Sequence, residues 1–370
     1  MVLATFGRGF YILDDYSPLR MIDKEFLNKE AFIFPVEDAL MYIQKSGRYG
    51  QGSAYFKAPN PDFGAVFTYY LKEPPKTLKA TRKEKEKELF KKGEFIPQPG
   101  AETLRMEADE KAPYLIFKIS DDEGNIVRKI NSLASAGINR VVWDLRYESP
   151  SPIKLKDNKF EPTEKSSSGL LAMPGKYSVS MSLVVRGEEK QLFGPIEFNA
   201  VVLNNAILPA ANRQEMVMFQ KKASQLARTV MGAQKSAEEL FQRADYIRQA
   251  VNNFSAAPFS LLDKANEVVK VLSDILFKFS GSEPPASREE IPPADVPLVY
   301  RLETMVYTQY MSTSNVTDNQ KVAYDVLYEE IQPVIEKLKQ INDYDLKSIQ
   351  DELERLNIPW TPGRIPELKK

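Results

Sequence analysis

Apolar residues follow two different periods along the chain, and the change of period falls near residue 210. Before it, they alternate with polar residues. Tyr177, Val179, Met181 and Leu183 stand against Ser178, Ser180 and Ser182, the period of two expected of a half-buried antiparallel strand. Similar runs occur at Ala65–Leu71, Tyr114–Ile119, Val141–Leu145 and Ile196–Leu203. Pro74-Pro75, Asp121-Asp122-Glu123-Gly124-Asn125 and Pro174-Gly175 punctuate them, as turns require. Several short strands with turns between them predict a β-sandwich over 61–205.

Two shorter apolar runs, Val2–Ala4 and Phe10–Leu13, flank Gly7-Arg8-Gly9 and end at Asp14-Asp15 and Pro18. They predict a hairpin. A lone hairpin is marginal in water, so this one requires cover from a sheet that the rest of the chain does not supply. Residues 21–60, with Gly47, Gly50, Gly52, Pro59 and Pro61 near their end, predict a linker. The run Arg82-Lys83-Glu84-Lys85-Glu86-Lys87-Glu88 predicts a charged helix over 80–93. Its alternating signs, taken as i,i+4 pairs, suit a solvated face and not a binding patch. Ser149–Ser168 is polar and predicts an exposed loop.

From Ala211 the spacing becomes three and four. Asn212 and Glu215 suit an N-cap, followed by Phe219, Ala223, Leu226, Val230, Ala233, Ala237, Leu240, Ala244, Ile247 and Val251, an unbroken helical seam. Further seams are Leu262, Ala265, Val269, Leu272, Leu276 and Phe279, stopped by Gly281; a helix at Leu298–Met311; and Tyr324, Leu327, Ile331, Val334, Leu338 and Ile341, opened by Thr317 and Gln320. Pro333 should kink the last of these. Leu346, Ile349, Leu353 and Leu356 mark a short final helix. Four long seams and a short one predict an up-and-down bundle over 211–358, with a tail at 359–370. The fold class is therefore multidomain, β then α.

Composition narrows the chemistry sharply. The chain of 370 residues has no histidine and no cysteine, which excludes within it Ser-His-Asp triads, thiolate nucleophiles, disulfides and zinc sites built on those ligands. Fifty basic and 51 acidic residues leave a net charge of -1, too balanced for a general binder of nucleic acid or anionic membranes. No apolar run approaches the roughly 18 residues of a membrane span, and Met1–Asp15 lacks the pattern of a signal peptide.

No phosphate-binding glycine loop is present. Asp14-Asp15, Asp121-Asp122 and Asp343 with Asp345 are too close in sequence for the two carboxyls of a glycosidase, which face each other about 5–10 Å apart across a cleft. Asp14-Asp15 and Asp121-Asp122 read as turn residues. Trp143 lies inside an apolar strand and reads as core; Trp360 reads as packing the tail onto the bundle. No catalytic, cofactor-binding or metal-binding residue is nominated, and no cofactor is expected.

One segment has a specific likeness. Leu3–Arg20, LATFGRGFYILDDYSPLR, resembles the closing propeller strands of bacterial sortilin/Vps10-like BNR-repeat proteins, often labelled glycosyl hydrolases. Their pattern is approximately T-H-G-R-G-x-W-x-L-D-D-x-S-P-L-R. Thr5, Gly7, Arg8, Gly9, Leu13, Asp14, Asp15, Ser17, Pro18, Leu19 and Arg20 match; Phe6 stands in place of His and Tyr11 in place of Trp. The likeness continues at Gly64–Lys72, Gly137–Arg146, Pro174–Tyr177 and Asp345–Pro359.

The resemblance implies closing strands of a β-propeller at 1–20, the propeller itself being absent, then an immunoglobulin-like β-sandwich and the helical bundle. It implies a secreted or envelope (extracytoplasmic) protein whose N-terminal β-propeller portion, in the same protein or a separate chain, is the partner of this region, with envelope proteins or glycans as further partners. The function it implies is that of a non-catalytic scaffolding or protein-interaction region. The alternatives are part of a sialidase-like propeller glycoside hydrolase with its active site in the propeller, or a carbohydrate-binding module. No catalytic residue of such propellers can be carried onto this chain, because the blades that would hold it are absent.

Overall fold

The computed structural model describes residues 1–7, 9–13, 15–44, 60–203, 210–283, 286–290, 293–310 and 312–368. The chain divides into two compact units, Met1–Ser149 with Lys154–Ile207, and Pro150–Ile153 with Leu208–Lys370. The first is mainly β and the second helical. Arg8, Asp14, the glycines at 47, 50 and 52, Pro59, and the prolines at 284, 285 and 292 lie outside the described residues.

The β unit opens with the hairpin β1 (Val2–Thr5) and β2 (Gly9–Ile12), then a short helix α1 (Ser17–Arg20). Strands β3 (Ala31–Ile33), β4 (Ala39–Met41) and β5 (Ala65–Leu71) follow. Helices α2 (Leu78–Lys92) and α3 (Ala101–Asp109) come next. The remaining strands are β6 (Tyr114–Asp121), β7 (Ile126–Leu133), β8 (Gly137–Trp143), β9 (Arg146–Glu148), β10 (Ser168–Leu171), β11 (Gly175–Val185) and β12 (Glu188–Val202). A five-stranded sheet has the order β4-β12-β11-β6-β7 and a three-stranded sheet the order β3-β5-β8. All pairings are antiparallel except β4 with β12, which is parallel.

The two sheets share one core. Leu115, Phe117 and Ile119 of β6 and Tyr177, Val179 and Met181 of β11 meet Phe67, Tyr69 and Leu71 of β5 and Trp143 of β8. Period-two alternation puts these residues on one face of each strand. β5 is buried on its other face too, where Tyr70 joins Phe26 and Phe34 in a second, smaller core. Those rings pack 5.2–5.3 Å apart, and the Tyr70 hydroxyl donates to the Leu27 carbonyl.

Residues 21–44 are therefore not a linker. Ala31–Ile33 pairs with β5 and Ala39–Met41 with β12, and Ile33 is fully buried. Three-residue strands are too short to show a period. They are held by pairing and by the aromatic cluster, neither of which periodicity reveals.

The charged helix expected at 80–93 is α2, capped by Thr77, whose hydroxyl accepts from the Ala80 amide, and closed by Gly93 at φ 68°. A second helix, α3, packs beside it. Neither helix buries a residue, so side-chain bonds hold the pair. Arg82 forks onto Glu107 at 2.5 and 2.7 Å and also reaches Glu86 at 2.5 Å. The Glu110 carboxylate accepts from the Leu78 amide at 2.6 Å.

The helical unit comprises α4 (Arg213–Asn253), α5 (Phe259–Ser280), α6 (Leu298–Tyr310), α7 (Asp318–Gln340) and α8 (Leu346–Arg355) around a single core. In α4, nine of the ten expected seam residues are buried, Ala223 through Val251, and Phe219 is partly buried. The α7 seam is buried throughout from Tyr324 to Ile341, and the Thr317–Gln320 capping box is formed in both directions.

In α5 the buried face is Leu261, Ala265, Val268, Leu272, Ile275 and Phe279. That is one position earlier than expected at three places. Each of those places is an apolar pair (Leu261-Leu262, Val268-Val269, Ile275-Leu276), and packing against the neighbouring helices selects which member faces inward. α7 continues through Pro333, and a π-helical turn, Ile341–Asp345, joins it to α8. Among the described residues no helix is long and apolar enough to cross a membrane.

Candidate functional site

Among the described residues, the hairpin β1–β2 gathers a run of exposed apolar side chains. Its register pairs Val2 with Ile12, Leu3 with Tyr11, Ala4 with Phe10 and Thr5 with Gly9. The Met1 amino group donates to the Leu13 carbonyl at 2.8 Å, and the Leu13 amide to the Met1 carbonyl at 2.9 Å. Gly7 and Gly9 stand at φ 77° and 85°, the left-handed backbone that the tight turn requires.

Alternation sends Val2, Ala4, Phe10 and Ile12 to one face and Leu3 and Tyr11 to the other. Both faces are apolar, and every residue of both strands is exposed. Phe10 is 77% exposed, Ile12 67% and Val2 64%. Water on both sides of such a hairpin is the opposite of what its composition favours, because strands apolar on both faces normally lie inside a structure.

Among the described residues no further strand pairs with either edge. Met1 and Leu13 exchange both of their backbone bonds, and bonded pairs alternate along an antiparallel ladder. The N–H and C=O groups of Val2, Ala4, Phe10 and Ile12 consequently point outward. Beyond the hairpin, the Asp15 carboxylate accepts from the Ser17 amide at 2.8 Å and the Ser17 hydroxyl at 2.5 Å. The Asp15 carbonyl accepts from Arg140 at 3.3 Å. Asp15 is thus a turn residue that fixes the hairpin's exit.

The segment around Trp143 serves the fold. The indole is fully buried and donates to the Arg146 carbonyl at 2.8 Å. It lies edge-on to Tyr177 with ring centres 4.9 Å apart. Leu145 adopts φ 54°, and Asp144 holds this corner by accepting from the Arg146 amide and the Ser168 hydroxyl. Arg146 reaches the Gly169 carbonyl at 3.1 Å and the buried Arg128 reaches those of Tyr147 and Ser167 at 3.2 Å. Tyr177 donates to the Met173 carbonyl at 2.6 Å, and burial, with Tyr147 nearby, pushes its phenol pKa well up. A phenol held protonated and bonded in this way is a structural group, not a nucleophile.

The carboxylates read from the sequence are not brought together. Asp121 accepts from the Asn125 amide at 2.8 Å in the β6–β7 turn, and Asp343 accepts from Asn342 in the π-helical turn. Among the described residues no three acidic groups gather as a metal-binding cluster. Trp360 is 61% exposed and donates to the Arg364 carbonyl at 2.8 Å. Most of the side chain is therefore in water, unlike the tail-to-bundle packing expected of it, and its polar edge is satisfied within its own loop.

A cleft of about 400 Å³ lies between α4 and the end of α7, with Arg243 donating to Asn342 at its wall. The Arg243 side chain packs against Gly363, where a Cβ would come within 2.7 Å of it, so it is engaged in packing the tail. The cleft has no sequence signature, since its residues are scattered over two helices and the π-helical turn.

Compared with known proteins, the chain matches no family model, no curated protein and no solved structure.

Proposed function

We propose that this chain is the non-catalytic C-terminal scaffolding and protein-interaction region of a secreted or envelope sortilin-like β-propeller protein. In this reading β1–β2 are the closing strands of the propeller, the two sheets form an immunoglobulin-like sandwich, and the helices form an up-and-down bundle. The observation that carries it is the hairpin, apolar on both faces and open at both edges. A surface of that kind is completed by strand addition, in which backbone bonds supply affinity and alternate side chains supply fit. The partner is the N-terminal β-propeller portion, in the same protein or in a separate chain.

The test is to titrate the purified chain with a separately expressed N-terminal β-propeller portion. Association is expected, and Phe10→Ser with Ile12→Ser should weaken it at least tenfold, since burying either side chain is worth about 1.5–3 kcal/mol. No association, or association indifferent to the two substitutions, overturns the proposal. Turnover of aryl glycosides by the reassembled protein, lost on mutating a blade residue, would replace it with the glycoside hydrolase reading.

A further inference from the structure

Helix α2 carries seven basic and three acidic side chains, and the helix sorts them by face. At 100° per residue, Lys79, Lys83, Lys87 and Lys91 fall at successive i,i+4 positions along one stripe, about 18 Å long at 1.5 Å rise per residue. All four are exposed, whereas Leu78, Arg82, Glu86 and Leu89, on the side toward α3, are half-buried. Two of the three acids are already paired. Glu84 is bonded by Lys76 at 2.6 Å and Glu86 by Arg82 at 2.5 Å. None of the four stripe lysines makes an ion pair among the described residues.

Like charges at i,i+4 destabilise a helix, and α2 has no buried face to compensate. Within the arc of the stripe by the same angular count, near its Lys79 edge, stands Phe90, 75% exposed; Phe95, just past the Gly93 cap, is 86% exposed. A stripe of exposed lysines with one protruding ring on a convex helical face, and a second exposed ring just beyond its C-cap, matches an anionic lipid surface. Mobile headgroups can meet the lysines without a groove, and the adjacent rings can reach the headgroup layer. A polymer chain held by side chains would be expected to have a groove, and this face is convex and ungrooved.

We propose that the Lys79–Lys91 stripe of α2, with Phe90 and Phe95, docks the protein on an acidic phospholipid surface. The near-zero net charge of the chain does not oppose this, because the basic surplus is local to one helix. The inference is independent of the hairpin's role.

The test is co-sedimentation of the full chain with vesicles of phosphatidylcholine alone or mixed equally with phosphatidylglycerol. Binding is expected only to the mixed vesicles and should disappear at about 1 M salt, where screening acts within about 3 Å. Changing all four stripe lysines to Gln should reduce partitioning more than a hundredfold, at about fivefold per lysine. Phe90→Ser with Phe95→Ser should reduce it about tenfold. Changing Lys154, Lys156, Lys159 and Lys165 to Gln, in the loop before β10, should leave it unaltered. Far-UV circular dichroism will show whether each variant keeps its fold. The proposal is overturned by equal binding to neutral vesicles, by no binding at low salt, or by a stripe variant that is folded and still binds. Binding to soluble dextran sulfate without binding to the mixed vesicles would also overturn it.

Discussion

Trp143 offers the sharpest test of how the β unit is built, because its two possible roles predict opposite behaviour. As a sugar-stacking residue it would be replaceable without cost to folding. Its observed position is different: fully buried, edge-on to Tyr177 at 4.9 Å and to Phe198 at 6.1 Å, with its N–H on the Arg146 carbonyl. Trp143→Ala should therefore cost about 3–5 kcal/mol, the range for emptying a large aromatic site. Trp143→Phe removes the indole bond, worth about 1 kcal/mol. It also leaves a void of roughly 40 Å³, which at about 24 cal/mol per Å³ adds another ~1 kcal/mol. The expected cost is thus about 2 kcal/mol.

Urea unfolding followed by far-UV circular dichroism measures both losses. In a Trp360→Phe background, Trp143 is the sole indole and its fluorescence should resist acrylamide quenching. A loss under about 1 kcal/mol for Trp143→Ala, or ready quenching of Trp143, would refute the placement.

Other consequences follow from single contacts. Gly64 stands at φ 123°, and a Cβ there would lie 1.9 Å from the Trp143 carbonyl oxygen; Gly64→Ala should cost roughly 3 kcal/mol or more in the same unfolding assay. The Glu107 carboxyl is held below its usual pKa chiefly by its hydrogen bonds to Arg82. Its contribution to α2–α3 packing is fully present above the ordinary glutamate pKa of about 4.3. It is lost as pH falls through the lower value in the folded protein. Spin labels on cysteines introduced at Glu88 and Arg105, unique sites in a chain without cysteine, should report α2 and α3 separating in acid, and Glu107→Gln should abolish that pH dependence. Thr317→Ala removes half of a reciprocal capping box and should destabilise the helical unit by about 1 kcal/mol, read as a lowered thermal midpoint.

Long periodic segments were legible in the sequence. α4 repeats its pattern over 41 residues, enough for the seam to be read almost residue by residue. Short elements were not. Ala31–Ile33 and Ala39–Met41 offer three residues each, and their strand state depends on partners 36 to 161 positions away. α3 buries nothing and so carries no core-facing stripe; the Arg82 fork to Glu107 that holds it spans 25 residues.

The hairpin was visible as two apolar runs around glycines, but only the structure shows that neither face is covered. The lysine stripe was hidden by reading the charge alternation as i,i+4 pairs. A helix returns residues four apart to one face, so Lys83, Lys87 and Lys91 gather there, and of that run only Arg82–Glu86 forms the opposite-charge pair.

The central claim is that β1–β2 completes a partner's sheet, and the most direct measurement is residue-resolved hydrogen exchange in the hairpin. The outward amides of Val2 and Ala4 line one edge, and those of Phe10 and Ile12 the other. In the chain alone all four should exchange near the unprotected rate. On addition of the propeller portion, the pair on the docking edge should become protected by at least a hundredfold, and which pair responds identifies the strand that docks. Continued fast exchange at all four amides in the presence of a propeller shown to be folded would contradict the claim.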